Sequence, residues 1–191
     1  MSSRARGKPQ MILNGSTSLD GVDPTTGSKL WSMPSEGETG SPAFRDGIVY
    51  VDRGLGGGGV CADLSTGLPV IKWKCGRTEM GEGPGAAAIV DGLVYKMHHQ
   101  DRLLCRKAAT GETVFTTALK QMSTWPSPIT TADPYIYFAS AGKSYVIRPG
   151  TKLEIIATND LNDASPAASA AMAHGRIFLR GDKFLYCIGG K

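Results

Sequence analysis

The chain has 191 residues, a formal net charge of +4 and a hydrophobic content of 41%. Its 25 glycines, 11 prolines and 7% aromatic residues suit many short strands joined by tight turns. No stretch approaches the roughly 20 apolar residues of a membrane-spanning helix. Residues 1–9 are basic and lack the apolar region of a secretory signal. We therefore expect a disordered basic tail over residues 1–9, no membrane span and no signal peptide in this chain.

A repeat of about 40 residues runs through the rest of the chain. A Ser-Pro or Gly-Pro step opens each unit, and the prolines lie 42, 44 and 38 residues apart, at Pro42, Pro84, Pro128 and Pro166. A turn then leads into an apolar run that ends in an aromatic residue, at residues 46–50, 91–95, 133–137 and 174–178. Thr-Gly turns end at Gly27, Gly67 and Gly111, and a bulky residue follows each, at Trp31, Trp73 and Phe115. Such a period is typical of a propeller blade.

Each unit divides into four short strands, which we call A to D in chain order. Asp-Gly and Thr-Gly pairs adopt positive φ at little cost, so they predict the A–B and C–D hairpin turns. Residues 164–173 are alanine-rich, but Pro166 stands at the strand A proline of its unit, which predicts a strand there rather than a helix. The sequence therefore predicts an all-β fold: a β-propeller of four-stranded antiparallel blades, with about four to five blades' worth of chain.

The repeat boundaries predict a partial blade at residues 10–38, blades at 39–80, 81–122 and 123–162, and a partial blade at 163–191. Known propellers have about 4–8 blades. We expect this chain to be a partial or half propeller that belongs to a larger one. Two alternatives stay open: the terminal partial blades pair within one small ring, or two half-rings form a homodimer through their open blade edges.

The repeat resembles the pyrroloquinoline-quinone (PQQ)-type propeller repeat, in which Gly-x-Val-Tyr precedes Ala-Leu-Asp-x-x-Thr-Gly-x-x-x-Trp. Residues 47–50, 62–67 and 22–31 match this pattern, and the resemblance covers nearly the whole chain after about residue 10. The family holds quinone-dependent dehydrogenases, outer-membrane assembly lipoproteins and binding propellers. The resemblance therefore implies the fold, and it implies a periplasmic or extracellular location.

Enzymatic activity is the less favoured interpretation. The resemblance implies that a dehydrogenase of this kind holds its quinone over a Trp in the central funnel, with an adjacent Cys-Cys pair, calcium ligands from Glu and Asn, and a catalytic Asp. This chain has no Cys-Cys pair, and no positions match the calcium ligands. We therefore expect no catalytic residues and no cofactor. PQQ with calcium belongs only to the alternative that the chain is a fragment or relative of a quinoprotein (PQQ-dependent) dehydrogenase.

Cysteine and histidine spacing predicts no metal site. Cys61, Cys105 and Cys187 fall at equivalent places in their repeats, so we expect small buried side chains between blades, too far apart for disulfides. Cys75 lies outside this pattern. His98 and His99 are adjacent in a predicted hairpin strand and should point to opposite faces.

In a propeller the B–C and D–A loops share one face, which we call the loop face. Basic and acidic residues in these loops largely cancel, so no nucleic-acid partner is expected. We expect a non-catalytic binding or scaffolding module with a protein or small-molecule ligand on the loop face or in the central funnel. The candidate ligand-binding residues are Trp125, Arg53 and His98. A third hypothesis is a self-assembling half-propeller with a structural role.

Overall fold

Five antiparallel sheets follow one another along the chain. The computed structural model describes residues 2–5, 8–36, 40–80, 83–99, 101–131, 133, 135–140, 142–163 and 168–189, with the backbone alone for residues 2–5, 8 and 80. Within these residues four sheets have four strands and one has three, and consecutive strands are neighbours in every sheet. This order agrees with the predicted all-β fold of four-stranded antiparallel blades.

The strands of the first two sheets are β1 (Ser2–Ala5), β2 (Lys8–Asn14), β3 (Ser18–Val22), β4 (Lys29–Pro34), β5 (Ala43–Arg45), β6 (Ile48–Asp52), β7 (Gly59–Asp63) and β8 (Val70–Cys75). Those of the third and fourth sheets are β9 (Ala88–Val90), β10 (Leu93–His98), β11 (Arg102–Lys107), β12 (Thr113–Ala118), β13 (Ile129–Thr130), β14 (Ile136–Ser140), β15 (Lys143–Arg148) and β16 (Glu154–Asp160). The last sheet holds β17 (Ala171–Ala173), β18 (Arg176–Arg180) and β19 (Leu185–Gly189). A 3-10 turn (Gly54–Gly56) and a one-turn helix, α1 (Arg77–Met80), lie in connections.

The hairpin turns have the backbone conformation that the sequence predicts. In the A–B turns of the second, third and fifth sheets both central residues have positive φ: 50° and 81° at Asp46 and Gly47, for example, and 50° and 70° at His174 and Gly175. These values suit the tight turns that match the twist of neighbouring strands. The glycine of each Thr-Gly turn also has positive φ, with 72° at Gly27, 90° at Gly67 and 77° at Gly111.

Successive sheets pack face to face through their apolar side chains. Val49 and Val51 of β6 pack towards Trp31 of the first sheet, while Tyr50 of the same strand packs towards the third sheet with Trp73. The Trp73 indole Nε1 donates a hydrogen bond of 2.8 Å to the carbonyl oxygen of Ala108 in the next C–D turn. The second sheet is therefore buried on both faces, as a blade between two blades must be.

The N-terminal segment differs from its prediction as a disordered tail. Ser2–Ala5 forms β1 and pairs antiparallel with β2, which begins at Lys8, so the first sheet has four strands rather than being partial. Residues 1, 6 and 7 lie outside the described residues. Strand pairing uses backbone groups, and β1 is an edge strand, where basic residues and proline are common. An apolar pattern was therefore not needed for this strand.

The cysteine prediction is confirmed for two of three positions. Cys61 and Cys105 are fully buried, each between two sheets, whereas Cys187 is exposed. Cys187 lies in the last sheet, beyond which the described residues provide no further sheet to cover it. All four cysteines of the described residues are free thiols.

Two other predictions concern helices. In the alanine-rich segment, residues 168–173 include strand β17 and no helix, whereas residues 164–167 lie outside the described residues. Among the described residues, no helix is long and apolar enough to cross a membrane.

Candidate functional site

A concave site lies on the loop face of the described chain. Because the strands of each sheet run up and down in chain order, the B–C turns and D–A connections lie at the same end. There, a cavity of about 750 Å³ opens between the first and second sheets. Its volume falls in the range of ligand pockets. The lining residues are Ser16, Thr17, Pro34, Ser35, Glu36, Val51, Asp52, Arg53, residues 56–59, Val60, Lys74, Cys75, Gly76 and Arg77.

One wall of the cavity is the glycine-rich B–C loop of the second sheet, and it packs closely on the end of β8. A Cβ atom on Gly57 would lie 2.5 Å from the Arg77 Cγ atom, and one on Gly58 would lie 2.8 Å from the Cys75 carbonyl oxygen. Both glycines also have positive φ, at 65° and 78°. Any larger residue at these two positions would have to displace the end of β8. The glycines therefore let the loop lie directly against that strand.

A buried ion pair lies behind the glycine-rich wall. Lys96 Nζ is 2.9 Å from Asp52 Oδ2, and their side chains are only 2% and 5% exposed. Lys96 also donates to the carbonyl oxygens of Gly83 and Gly85. The Asp52 Oδ1 atom accepts the backbone N–H of Gly54 at 2.8 Å, at the start of the loop. The pair thus links the second and third sheets and neutralises Asp52, which is one of the lining residues of the cavity.

Cationic side chains outnumber uncompensated carboxylates around the cavity. Arg53, Lys74 and Arg77 are the three cations of the lining, and Glu36 and Asp52 are its two carboxylates. Asp52 is matched by Lys96 from outside the lining, while Glu36 Oε2 is 3.0 Å from Arg53 Nη1. Lys74 has no ion-pair partner among the described residues. The cavity therefore favours an anionic group.

Cys75 is half-buried at the cavity and is a poor nucleophile. Burial is the main cause that raises the pKa of its thiol to about 11, despite the opposing effect of Arg106. Because the thiolate is the reactive form, this thiol stays protonated and unreactive near neutral pH. Covalent catalysis at this position is not supported.

The three candidate residues from the sequence all lie on the loop face, but the cavity includes only Arg53. Trp125 is 55% exposed in the connection between β12 and β13, and its backbone N–H donates to the Ser123 Oγ atom. His98 ends β10 and does not line the cavity.

The two adjacent histidines do not diverge as strand alternation would place them. Their ring centroids are 4.0 Å apart, because His99 already belongs to the turn after β10. Burial is the main cause that lowers the pKa of His98. Among the described residues, no three His, Cys, Asp or Glu side chains are grouped so that they could hold a metal ion.

Sequence reasoning missed Asp52, Lys96, Lys74 and Arg77. A usable signal was present for the first two, because each places a charge in the otherwise apolar strand B of its repeat, with opposite signs in consecutive units. Charges buried in such strands are expected to be paired. Lys74 and Arg77 gave no comparable signal, since surface lysines and arginines are common.

The comparisons with known proteins agree on one architecture. The family described as "Outer membrane protein assembly factor BamB" matches residues 15–148. BamB from Moraxella catarrhalis superposes with a TM-score of 0.71 at 13% identity, covering 93% of this chain and 53% of that one. The computationally designed Ika8 protein gives a TM-score of 0.63 at 13% identity, with the same coverage of 93% and 53%. A protein of unknown function from Bacteroides caccae gives 0.55 at 13% identity, covering 88% and 64%.

The family match shows the family. The likeness to the solved structures, at 13% identity, shows the fold alone. A search of curated proteins gives no significant match. The chain spans about half the length of the M. catarrhalis protein that it resembles. Its open series of antiparallel sheets therefore corresponds to part of a propeller, as predicted. Because the family match covers well over half of its residues, the chain belongs to the PQQ-like β-propeller family described as outer membrane protein assembly factor BamB.

Proposed function

We propose that this chain is a non-catalytic propeller module that binds a protein partner through its loop face. The observation that carries the proposal is the cavity of about 750 Å³ on that face, which two sheets build and behind whose glycine-rich wall a buried ion pair lies. Binding residues commonly lie on loops that a rigid scaffold positions. The family is described as an assembly factor of the outer membrane, which supports a protein partner and a location outside the cytoplasm.

Face-specific photo-crosslinking tests this proposal in cells. A photoreactive amino acid replaces either Trp125 or His98 on the loop face. In matched controls it replaces Thr26 or Thr110, which are exposed in C–D turns at the opposite end of the sheets. We expect a discrete protein adduct from the loop-face positions and little from the C–D turns. Equal adducts from both ends, or adducts from the C–D turns alone, would contradict the proposal.

The proposal includes no quinone cofactor, because the donor set does not fit one. The free cysteines at positions 61, 75, 105 and 187 are not adjacent in sequence, and the described residues group no set of ligands suitable for calcium. Trp125, a candidate ligand-binding residue from the sequence, is 55% exposed. Titration with PQQ and calcium checks this: we expect no shift in quinone absorbance, and a saturable shift would favour a quinoprotein dehydrogenase.

Self-association is a second candidate function. It is favoured by two end faces: the outer face of the first sheet and the outer face of the last sheet. Met11 and Leu13 are 40% and 45% exposed on the first sheet. They occupy the register positions of Val49 and Val51, which are each 1% exposed because the first sheet covers them. At the other end, Cys187 is exposed at the position where Cys61 is buried by the next sheet.

The two end faces can fit each other. The outer face of the first sheet is equivalent to the face of the second sheet that packs on the first sheet, and the outer face of the last sheet is equivalent to the face of the second sheet that packs on the third. We propose that a second copy packs its last sheet on the first sheet of its neighbour. Such a head-to-tail contact closes into a ring or propagates, depending on its rotation.

Light scattering over a concentration series measures this association directly. We expect species heavier than 20.2 kDa that Leu13→Lys converts to monomer. In a matched control, Leu68→Lys, which changes an exposed C–D turn residue, should leave the mass unchanged. A monomer at every concentration would contradict self-association and leave the protein-binding proposal intact.

A further inference from the structure

We infer that the cavity between the first and second sheets is a binding site for an acidic peptide segment of a partner protein. This inference rests on the proposed protein-binding function and specifies the chemistry of the partner. Three features of the cavity carry it: the charge of its lining, the open backbone edge beside it, and its glycine-rich wall.

The charge of the lining selects an anion. Lys74 lies at the cavity without an ion-pair partner among the described residues, and Arg53 and Arg77 line the same space. The carboxylate of Asp52 is 5% exposed and does not repel an incoming anion strongly, because Lys96 is 2.9 Å away and the Gly54 N–H occupies its other oxygen. Glu36, the remaining carboxylate, is exposed and paired with Arg53. Hydrogen bonds between charged groups are about twice as strong as neutral ones, so a carboxylate gains most here.

The backbone beside the cavity favours a peptide over a compact anion. Strand β8 is the outer edge of the second sheet, and its last residues, Lys74 and Cys75, line the cavity. An edge strand presents backbone groups that an extended peptide can pair with. The facing edge strand, β4, ends at Pro34, which has no N–H to donate. An extended segment is therefore expected to pair along β8, with a carboxylate near Lys74.

The lining also supplies neutral hydrogen-bonding groups and a little apolar surface. Ser16, Thr17 and Ser35 line the side formed by the first sheet, and the glycine-rich wall offers backbone without side chains. Val51 and Val60 provide apolar surface. Such polar groups can orient a bound ligand, and the two valines add apolar contact.

Fluorescence anisotropy with defined peptides tests the inference on the full chain. The probes are fluorescein-labelled hexaglutamate and, as the uncharged control, hexaglutamine, at about 0.15 M salt to screen long-range attraction. We expect saturable binding of hexaglutamate and at least tenfold weaker binding of hexaglutamine. Lys74→Gln should weaken hexaglutamate binding about tenfold, the size of one lost charged hydrogen bond.

The matched control variant is Lys152→Gln, which removes the same charge from an exposed C–D turn at the opposite end of the sheets, far from β8. It should change the affinity less than about twofold. Equal losses from both variants would mean general attraction to a basic protein, and would overturn the inference, as would equal binding of hexaglutamine. If neither peptide binds while crosslinking remains specific to the loop face, the cavity inference is wrong and the proposed function stands.

Discussion

Two glycines of the C–D turns have the same backbone conformation but different neighbours. Gly27 and Gly111 have nearly equal φ values, 72° and 77°. A Cβ atom on Gly27 would touch nothing within 4 Å, whereas one on Gly111 would lie 2.7 Å from the Trp73 ring. Glycine at position 111 therefore serves both the turn and the docking of the preceding blade.

Substituting these two glycines separates the two roles. Gly27→Ala should cost about 1–2 kcal/mol from the left-handed backbone alone. Gly111→Ala should cost about 1–3 kcal/mol more, because it also displaces the Trp73 ring from a packed interface. Urea unfolding followed by tryptophan fluorescence measures the difference. Equal costs would show that Trp73 does not depend on close approach to this turn.

Single residues also show how far the sequence alone could go. The positive φ of Asp46 and Gly47 was predictable, because turn chemistry is local. The exposure of Cys187 was not, because its repeat position is the same as that of buried Cys61. Burial at this position depends on the presence of the next sheet, which a local pattern does not report.

Between elements, the Lys96–Asp52 pair links the strands β10 and β6 of neighbouring sheets. Lys96→Met should destabilise the protein by about 3–5 kcal/mol, because it leaves Asp52 buried without a counter-charge. The double variant Lys96→Met/Asp52→Asn should recover part of this loss, since the amide oxygen still accepts the Gly54 N–H. Urea denaturation midpoints measure both effects.

The matched comparison for this pair is Lys107→Met, which breaks the exposed ion pair between Lys107 and Glu112. Exposed pairs contribute about 0–1 kcal/mol, so this variant should unfold almost as the parent does. If Lys96→Met were equally mild, the buried pair would not hold the two sheets together.

In the last sheet, the Asp163 carboxylate connects the chain before β17 to the turn between β18 and β19. It accepts the backbone N–H groups of Asp182, Lys183 and Phe184 and the Tyr186 hydroxyl. Burial acts to raise its pKa, but these hydrogen bonds prevail and lower the pKa below the ordinary value of 3.8. The carboxylate is therefore stabilised in its ionised form.

This contact should make the last sheet sensitive to acid. Because the folded pKa is lowered, the stabilisation is full above about pH 4 and is lost as the pH falls through the folded pKa. We expect the thermal midpoint to fall below pH 4 in the parent protein. Asp163→Asn should lower the midpoint at pH 7 and remove part of this acid dependence. A variant with the parent's pH profile would exclude this carboxylate as the cause.

The candidate site could be predicted less well than the elements that form it. The repeat locates the strands and turns, because each blade reuses the same local pattern. The cavity instead arises where two blades diverge, and Lys74 and Glu36 meet there from different repeats. A single sequence does not give the angle between neighbouring blades, so the grouping of these side chains could not be foreseen.

At the scale of the whole molecule, we place the proposed binding function and the proposed self-association on different surfaces. The loop face carries the cavity, and the end faces carry exposed apolar positions such as Leu13. The opposite end of the sheets consists of A–B and C–D turns, several of which contain a glycine with positive φ. A partner on the loop face would therefore leave both the end faces and the C–D turns uncovered.

Hydrogen exchange with and without hexaglutamate is the most direct test that the loop face is the binding surface. Slowly exchanging amides report where a ligand covers or orders the backbone. We predict slower exchange at residues 53–60 and 74–77, with no change in the C–D turns that end at Gly27, Gly67 and Gly111. Protection in those turns, or no protection anywhere at saturating peptide, would contradict this account.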